Sequence, residues 1–376
     1  MHGFRFILGC ALCAAFAVQA APQVDVIAKG LSNPRGIAFA PNGQLYVAEA
    51  GSGGAGPCFV LADNRNACYG ESGAMTRVDP TGLAAPVRVI TGLPSLAPPG
   101  GFGAVGPQGI SFHGSGNGQL VLGLAALANA RDNLPANGAL LGRAIQVGVG
   151  GNWKAGADIA GYELANDPVA GGKDSNLNGV AATGGRHFIA DAGGNAVYEV
   201  AANGKVSVFA AFPSRMIPAP PFMHLPPGAM IPMQSVPTSV VDGQDGYIYI
   251  GELTGFPFPV GTANVYRVQA GGGAPEVFAS GFTNIMGIAF DASHRLYVLQ
   301  VGSGFAGGMP PLLPPGRLIR LNADGSRTVI HEGLFYPGGL AIGPDGAAYV
   351  TNFGIVPRPV PGSFPDGGQV LRISLD

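Results

Sequence analysis

Charge is what this chain has least of. Only 11% of its 376 residues are Asp, Glu, Lys or Arg, where a soluble domain ordinarily carries about 25%. The formal net charge is -2, and no basic or acidic run occurs anywhere. Phosphate backbones are held by clustered Lys and Arg, so nucleic acid is excluded as a partner. Beyond the first 20 residues no apolar run is long enough to span a bilayer, which takes about 20 residues. The familiar catalytic signatures are also missing. There is no Gly-x-Ser-x-Gly elbow, no His-Glu-x-x-His, no phosphate loop and no dinucleotide fingerprint. The six His are scattered, and Asp174, Ser175, Asn176 and His187 do not make a triad by spacing.

What is abundant is glycine, with 63 residues, and proline, with 33. Such a content borders on low complexity. Yet 47% of the residues are hydrophobic and the mean hydropathy is +0.29, the reverse of a disordered chain. Many short strands joined by many tight turns satisfy both facts.

The first 20 residues read as an export signal. Arg5 precedes an apolar stretch from Phe6 to Val18, and Val18-Gln19-Ala20 fits the small-residue cleavage rule. A membrane anchor and a lipidation site at Ile7-Leu8-Gly9-Cys10 are the alternatives, and the apolar stretch is short for either. This predicts a periplasmic or extracellular chain whose mature part, 21–376, is a single domain and a monomer. Of the four cysteines, Cys10 and Cys13 leave with the signal and Cys58 and Cys68 remain. Two thiols in an exported chain normally pair, here as a staple across one loop. A metal site is the other use, but no His or third Cys lies nearby in sequence.

One pattern recurs six times: a polar or Pro-containing opening, Gly or Ser with an alternating apolar strand, a turn, then a second strand usually ending in a polar residue. The first copy is Asn33-Pro34-Arg35-Gly36-Ile37-Ala38-Phe39, turn Pro41-Asn42-Gly43, then Leu45-Tyr46-Val47-Ala48-Glu49. Later copies open at Gly106, Asn176, Val236, Asn284 and Tyr336. Period-2 alternation around Asn-Gly or Asp-Gly is the hairpin signal. Most copies add an outer pair, such as Ala196–Val200 with Val206–Phe209. Four strands per repeat make one propeller blade, so the fold class is all-β, a six-bladed β-propeller. The last copy stops after its third strand, Gln369–Ile373, and Val24–Ala28 has the form of the missing outer strand. The mature N-terminal strand should therefore complete the last blade and leave no open edge at the seam. Length beyond the repeat falls in four insertions, at 50–72, 125–175, 213–234 and 353–367.

The six opening motifs, the Cys58/Cys68 insertion and two phrases carry a family resemblance. The phrases are Ala190-Asp191-Ala192-Gly193-Gly194-Asn195 and the run from Gly251 to Gly261, Gly-Glu-Leu-Thr-Gly-Phe-Pro-Phe-Pro-Val-Gly. Over essentially the whole mature chain the sequence resembles the ScyD/ScyE family. The resemblance implies an exported six-bladed propeller related in shape to NHL-repeat proteins and to lactonase and strictosidine-synthase-like propellers. It does not imply an established reaction.

Matching positions in six blades should form rings around the central channel. One column holds Arg35, Gln108, Asn178, Thr238, Met286 and Gly338. The other, at the end of the second strand, holds Glu49, Leu124, Asp191, Glu252, Gln300 and Asn352. The channel candidates are Arg35, Glu49, Asp191, Glu252, Gln300 and Asn352. Glu49, Asp191, Glu252 and Asn352 are candidate ligands for Ca²⁺ or another divalent ion, since Ca²⁺ takes about six to eight oxygens. The resemblance to lactonase propellers points the same way, and such an ion could activate water. Against this, an acid after an apolar strand can simply accept backbone N–H groups at a blade corner. Arg35 could hold a carboxylate or phosphate, or pair with one of the acids. The insertion at 213–233 holds Met216, Met223, Met230, Met233 and His224 among seven prolines. Thioethers and an imidazole suit Cu(I), while a Pro-stiffened apolar cover with Met as filler is the plainer use.

Three functions compete. A binding or assembly propeller with a small molecule or protein at the channel mouth is the leading one. A metal-assisted lactone or ester hydrolase of the gluconolactonase-like type would use the acid ring. A strictosidine-synthase-like condensing enzyme would need a general base in an apolar cavity, and Glu252 beside Phe256 and Phe258 is its nearest fit.

Overall fold

The computed structural model describes residues 22–114, 116–170, 172–302 and 315–375. The expected signal segment, with Cys10 and Cys13, lies outside these.

Six antiparallel sheets of four main strands follow one another along the chain. The innermost strands are Pro34–Phe39, Pro107–His113, Leu177–Ala182, Pro237–Asp242, Ile285–Phe290 and Gly339–Ile342, and each contacts its neighbour around a closed ring. This is the six-bladed β-propeller that the repeat predicts. The seam closes as expected: Val24–Leu31 pairs with Gly368–Ile373, with Val24 opposite Ile373 and Val26 opposite Leu371. The blade edge that would otherwise be unpaired is thus filled.

The second blade is complete too. Its outer pair, Arg143–Gly148 and Trp153–Asp158, lies inside the stretch 125–175 that reads as insertion in the sequence. The inner partner of that pair buries Ala144, Ile145 and Val147. The outer one, Trp-Lys-Ala-Gly-Ala-Asp, alternates, but beyond Trp153 its apolar members are only alanines, it carries Gly and Asp, and none of its residues is buried, so its strand signal is weak. The rest of the insertion folds on either side of that pair: as the short 3-10 helices Ala128–Asn133 and Ala136–Leu140 before it, and after it as the helix Ile159–Asn166, capped by Asp158, whose side chain accepts the Gly161 N–H.

Hydrophobic side chains pack between blades. Tyr46 and Met75 of blade 1 meet Leu120, Leu122 and Ile145 of blade 2. Phe188 and Val197 of blade 3 meet Ile248 and Ile250 of blade 4. Similar clusters join the remaining neighbours, including the last blade to the first through Tyr349, Val370, Ile37 and Val47. The opening glycines allow the inner strands to converge. A Cβ on Gly36 would fall 2.5 Å from the Gln108 carbonyl oxygen, and one on Gly109 would fall 2.5 Å from that of Asn178.

In such a blade the turns joining strands one to two and three to four share one face. The second-to-third connections and the links between blades share the other. Apart from the outer pair of blade 2 and its turn, all four expected insertions are connections of the second kind, so they gather on one face. Hydrogen bonds knit them together there. Ala62 N donates to Ala125 O at 2.8 Å, Gly103 N to Ile355 O at 2.9 Å, and Asn33 N to Val356 O at 2.6 Å. Cys58 and Cys68 form a disulfide, and the two residues are directly opposed in an antiparallel ladder within the first insertion.

Candidate functional site

The ends of the second strands carry the acids and amides expected to ring the channel. Register places Glu49 opposite Pro34, Asp191 opposite Leu177, Glu252 opposite Pro237 and Gln300 opposite Ile285. In blade 2 the residue opposite Pro107 is Leu122. The matching member of that column is therefore Leu122, not Leu124, because the strand there reaches its end two residues sooner.

Each of these polar residues bonds to its own blade corner. Glu49 is fully buried. Its Oε2 accepts from Ser32 N at 2.6 Å and from Arg88 Nη2 at 2.8 Å, and its Oε1 accepts from the Thr76 hydroxyl. Asp191 Oδ1 accepts three backbone amides, from Asn176 at 2.7 Å and from Gly193 and Gly194 at 3.1 Å, while Oδ2 accepts the Ser175 hydroxyl at 2.6 Å. Glu252 Oε1 takes the Ser235 hydroxyl and the Arg215 guanidinium, both at 2.9 Å. Its Oε2 takes the Asn264 amide groups of backbone and side chain, at 2.9 and 3.0 Å. Gln300 Oε1 accepts Thr283 N at 3.2 Å, and Asn352 Oδ1 accepts Phe335 N at 2.7 Å. Burial pushes the Asp191 carboxyl up to about 6 against the pull of its donors. It raises Glu252 as well, with Arg215 acting in the opposite direction.

The channel is a separate space. A cavity of about 560 Å³ is lined by the inner strands of all six blades, among them Ser111, Asn178, Thr238 and Met286. Near the turn face its wall includes Gln244, Asp291 and His294. None of Arg35, Glu49, Asp191, Glu252, Gln300 and Asn352 lines this cavity. The acids and amides among them are held by the hydrogen bonds at their blade corners. Among the described residues, no group of three or more His, Cys, Asp or Glu could hold a metal ion. Arg35 reaches the blade 1–2 connection, where Nη2 donates to Ala104 O at 2.8 Å and Nε has no partner. Burial first, and the nearby Arg65 second, lower its pKa to about 10.

One buried acid escapes the repeat analysis. Glu163 lies on the short helix of the second insertion and is fully buried. Its Oε2 accepts the Tyr198 hydroxyl, and its Oε1 has no partner. Burial, then the charge of Asp191, push its carboxyl up to about 8. No sequence signal marks it, because it belongs to no repeat position.

The insertion face is apolar near blades 3 and 4. The hairpin of Arg215–Pro218 with Met230–Met233 projects there, with Pro221–Met223 near its tip. Met216, Phe222, Leu225 and Met230 are 45 to 58% exposed. Phe256 and Val260, from the connection inside blade 4, are 54 and 67% exposed, and the Phe256 ring meets Phe222 edge-on at 6.1 Å.

No family model matches the chain, and no curated protein matches it. Solved structures do. A luciferin-regenerating enzyme shares 12% identity, covering 94% of this chain and 95% of that one, with a TM-score of 0.48. A catalytically inactive H270A virginiamycin B lyase from Staphylococcus aureus, bound to quinupristin, shares 12% identity over 94% of this chain and 99% of that one, with a TM-score of 0.47. A chain of a nidogen/laminin complex shares 14% identity over 76% of this chain and 84% of that one, with a TM-score of 0.45. At this level of identity, the activities of those proteins do not transfer to this chain.

Proposed function

We propose that this chain is an exported binding or assembly propeller, similar to ScyD/ScyE family proteins, that engages a protein partner through its insertion face. The observation that carries this reading is the exposed set Met216, Phe222, Leu225, Met230, Phe256 and Val260 on two neighbouring connections. Neither connection, 213–234 or 253–262, contains an Asp or Glu. Contiguous exposed apolar surface of this kind marks interaction sites, and Met and aromatic residues are enriched at them. The acids that a hydrolase or condensing enzyme would use are instead bonded to blade corners. Glu252 shares its two oxygens among five donor groups, the Tyr266 hydroxyl at 3.5 Å included, which is poor preparation for a general base.

The test is a photo-reactive residue placed at position 222 or 256 in the producing cell, with position 329 on an outer strand as control. A discrete adduct from 222 and 256 but not from 329 is the expected result. No adduct, or the same adducts from all three, overturns the reading. Turnover of a lactone or ester that is lost in Glu252→Gln would favour the hydrolase instead.

A further inference from the structure

A second feature lies on the opposite, turn-bearing face, between blades 2 and 3. A pocket of about 610 Å³ opens there, with His113, Gln119, Gln146 and His187 among its walls. His113 ends the inner strand of blade 2, and His187 lies near the start of the second strand of blade 3. Their rings face each other with centroids 5.5 Å apart and planes inclined by 47°. The Nδ1 atoms of both rings are buried and without a hydrogen-bond partner. Two unpartnered ring nitrogens at one blade junction are costly unless something occupies them.

The neighbouring groups define the chemistry. The Gln119 amide lies 3.1 Å from His187 Nε2. The two ends of a Gln amide are interchangeable in shape. With Oε1 toward the ring, His187 Nε2–H donates to it, and the Nδ1 lone pair is left free. An amide or carboxylate on the far nitrogen is the usual way a metal-binding imidazole is oriented. Burial, and then the neighbouring His113, lower the pKa of His187, and neutral imidazole is the form that binds metal. The pocket walls include Lys154 but no carboxylate. That donor set does not suit Ca²⁺ or Mg²⁺, which require oxygen ligands. Imidazole suits Zn²⁺, Cu²⁺ and Ni²⁺. Two metal–nitrogen bonds of about 2.0–2.1 Å fit between rings at this spacing.

We propose that His113 and His187 form a two-imidazole site for a divalent transition metal that bridges blades 2 and 3. Both histidines line the pocket, from which water or a small external ligand would complete the coordination. The site is independent of the insertion face and of any partner bound there.

The test uses the mature protein without a His tag, titrated calorimetrically with Cu²⁺ and with Zn²⁺, alongside melting curves. One ion per chain and a raised melting temperature are expected. His113→Gln and His187→Gln should each weaken binding at least tenfold, and His294→Gln should not. Cu²⁺ spin resonance on the unaltered protein supplies a readout independent of any variant's folding, and it should show two nitrogen ligands. No stoichiometric ion in the unaltered protein, a spectrum without two nitrogens, or binding by the His113→Gln and His187→Gln proteins as tight as the parent's overturns the proposal.

Discussion

Ser32 and Glu49 are 17 residues apart in sequence, yet Glu49 Oε2 accepts the Ser32 amide at 2.6 Å. The same separation links Thr283 to Gln300 and Phe335 to Asn352. The polar residue that ends the second strand thus fastens the segment that leads into its own blade. In blade 1 the bracket is a buried charge, matched by Arg88. Glu49→Ala takes this acceptor from the Ser32 amide and the Thr76 hydroxyl, and leaves Arg88 with its 3.3 Å bond to the Gly30 carbonyl oxygen in place of a carboxylate. The expected cost is about 3 kcal/mol, measured as a shift of the urea midpoint without a change in slope.

Glu163 predicts a pH dependence. Its folded-state pKa is raised to about 8, against about 4.3 in an unfolded chain. The folded protein therefore holds the proton more tightly, and this contribution to stability is complete below the unfolded value. It is lost as pH rises through about 8. Asp191, raised to about 6, acts in the same direction at lower pH. Urea melts should show stability falling between pH 6 and pH 8, and Glu163→Gln should flatten that part of the curve.

Glycine in the inner strands makes a steric prediction. Gly36→Ala drives a methyl group to 2.5 Å from the Gln108 carbonyl oxygen and 2.9 Å from Gly109 Cα. Neither backbone atom can move without opening the ring, so the loss should be about 1–3 kcal/mol. Gly271→Ala, at an exposed turn with no atom within 4 Å of the new Cβ, serves as the control and should melt within a degree or two of the parent.

The disulfide predicts a local effect. Its cysteines are 10 residues apart, and closing so short a loop is worth at most about 3 kcal/mol. The double variant Cys58→Ser/Cys68→Ser should keep its sheet signal by circular dichroism. Amide exchange should quicken around residues 54–72 and stay unchanged in the other five blades.

The architecture was legible in the sequence because each repeat states its strands twice, once by alternation and once by the turn between them. Gly36, Asn42 and Gly43 each carry a cue that needs no knowledge of the rest of the chain. The closing strand was legible for the same reason, as a surplus at one end matching a deficit at the other. The outer pair of blade 2 was not, since the alternation in Trp153–Asp158 runs through alanines and a glycine and buries no residue. The placement of the acids was a different kind of problem. Period-2 alternation gives a side chain's face along a strand, but Glu49 and Asp191 stand where the strand ends and the chain turns. There the direction depends on which backbone amides need an acceptor, and besides the adjacent Gly193 and Gly194 at Asp191 these include amides 15 to 17 residues away. The partners Arg88 and Arg215 come from still other strands and loops, and nothing local announces them.

The seam between Val24–Leu31 and Gly368–Ile373 also fixes an order of events. Gln23 N donates to Ser374 Oγ at 2.7 Å across a sequence separation of 351, so the sixth blade cannot be finished until both extremities of the domain are present. A chain emerging N-terminus first would carry one orphan strand for the whole of its synthesis or transport. Five blades can assemble in passing, but the ring shuts in a single late step that depends on the most distant contact in the molecule. Truncation at either end should leave an open horseshoe with two exposed sheet edges, a species prone to pairing with its own copies.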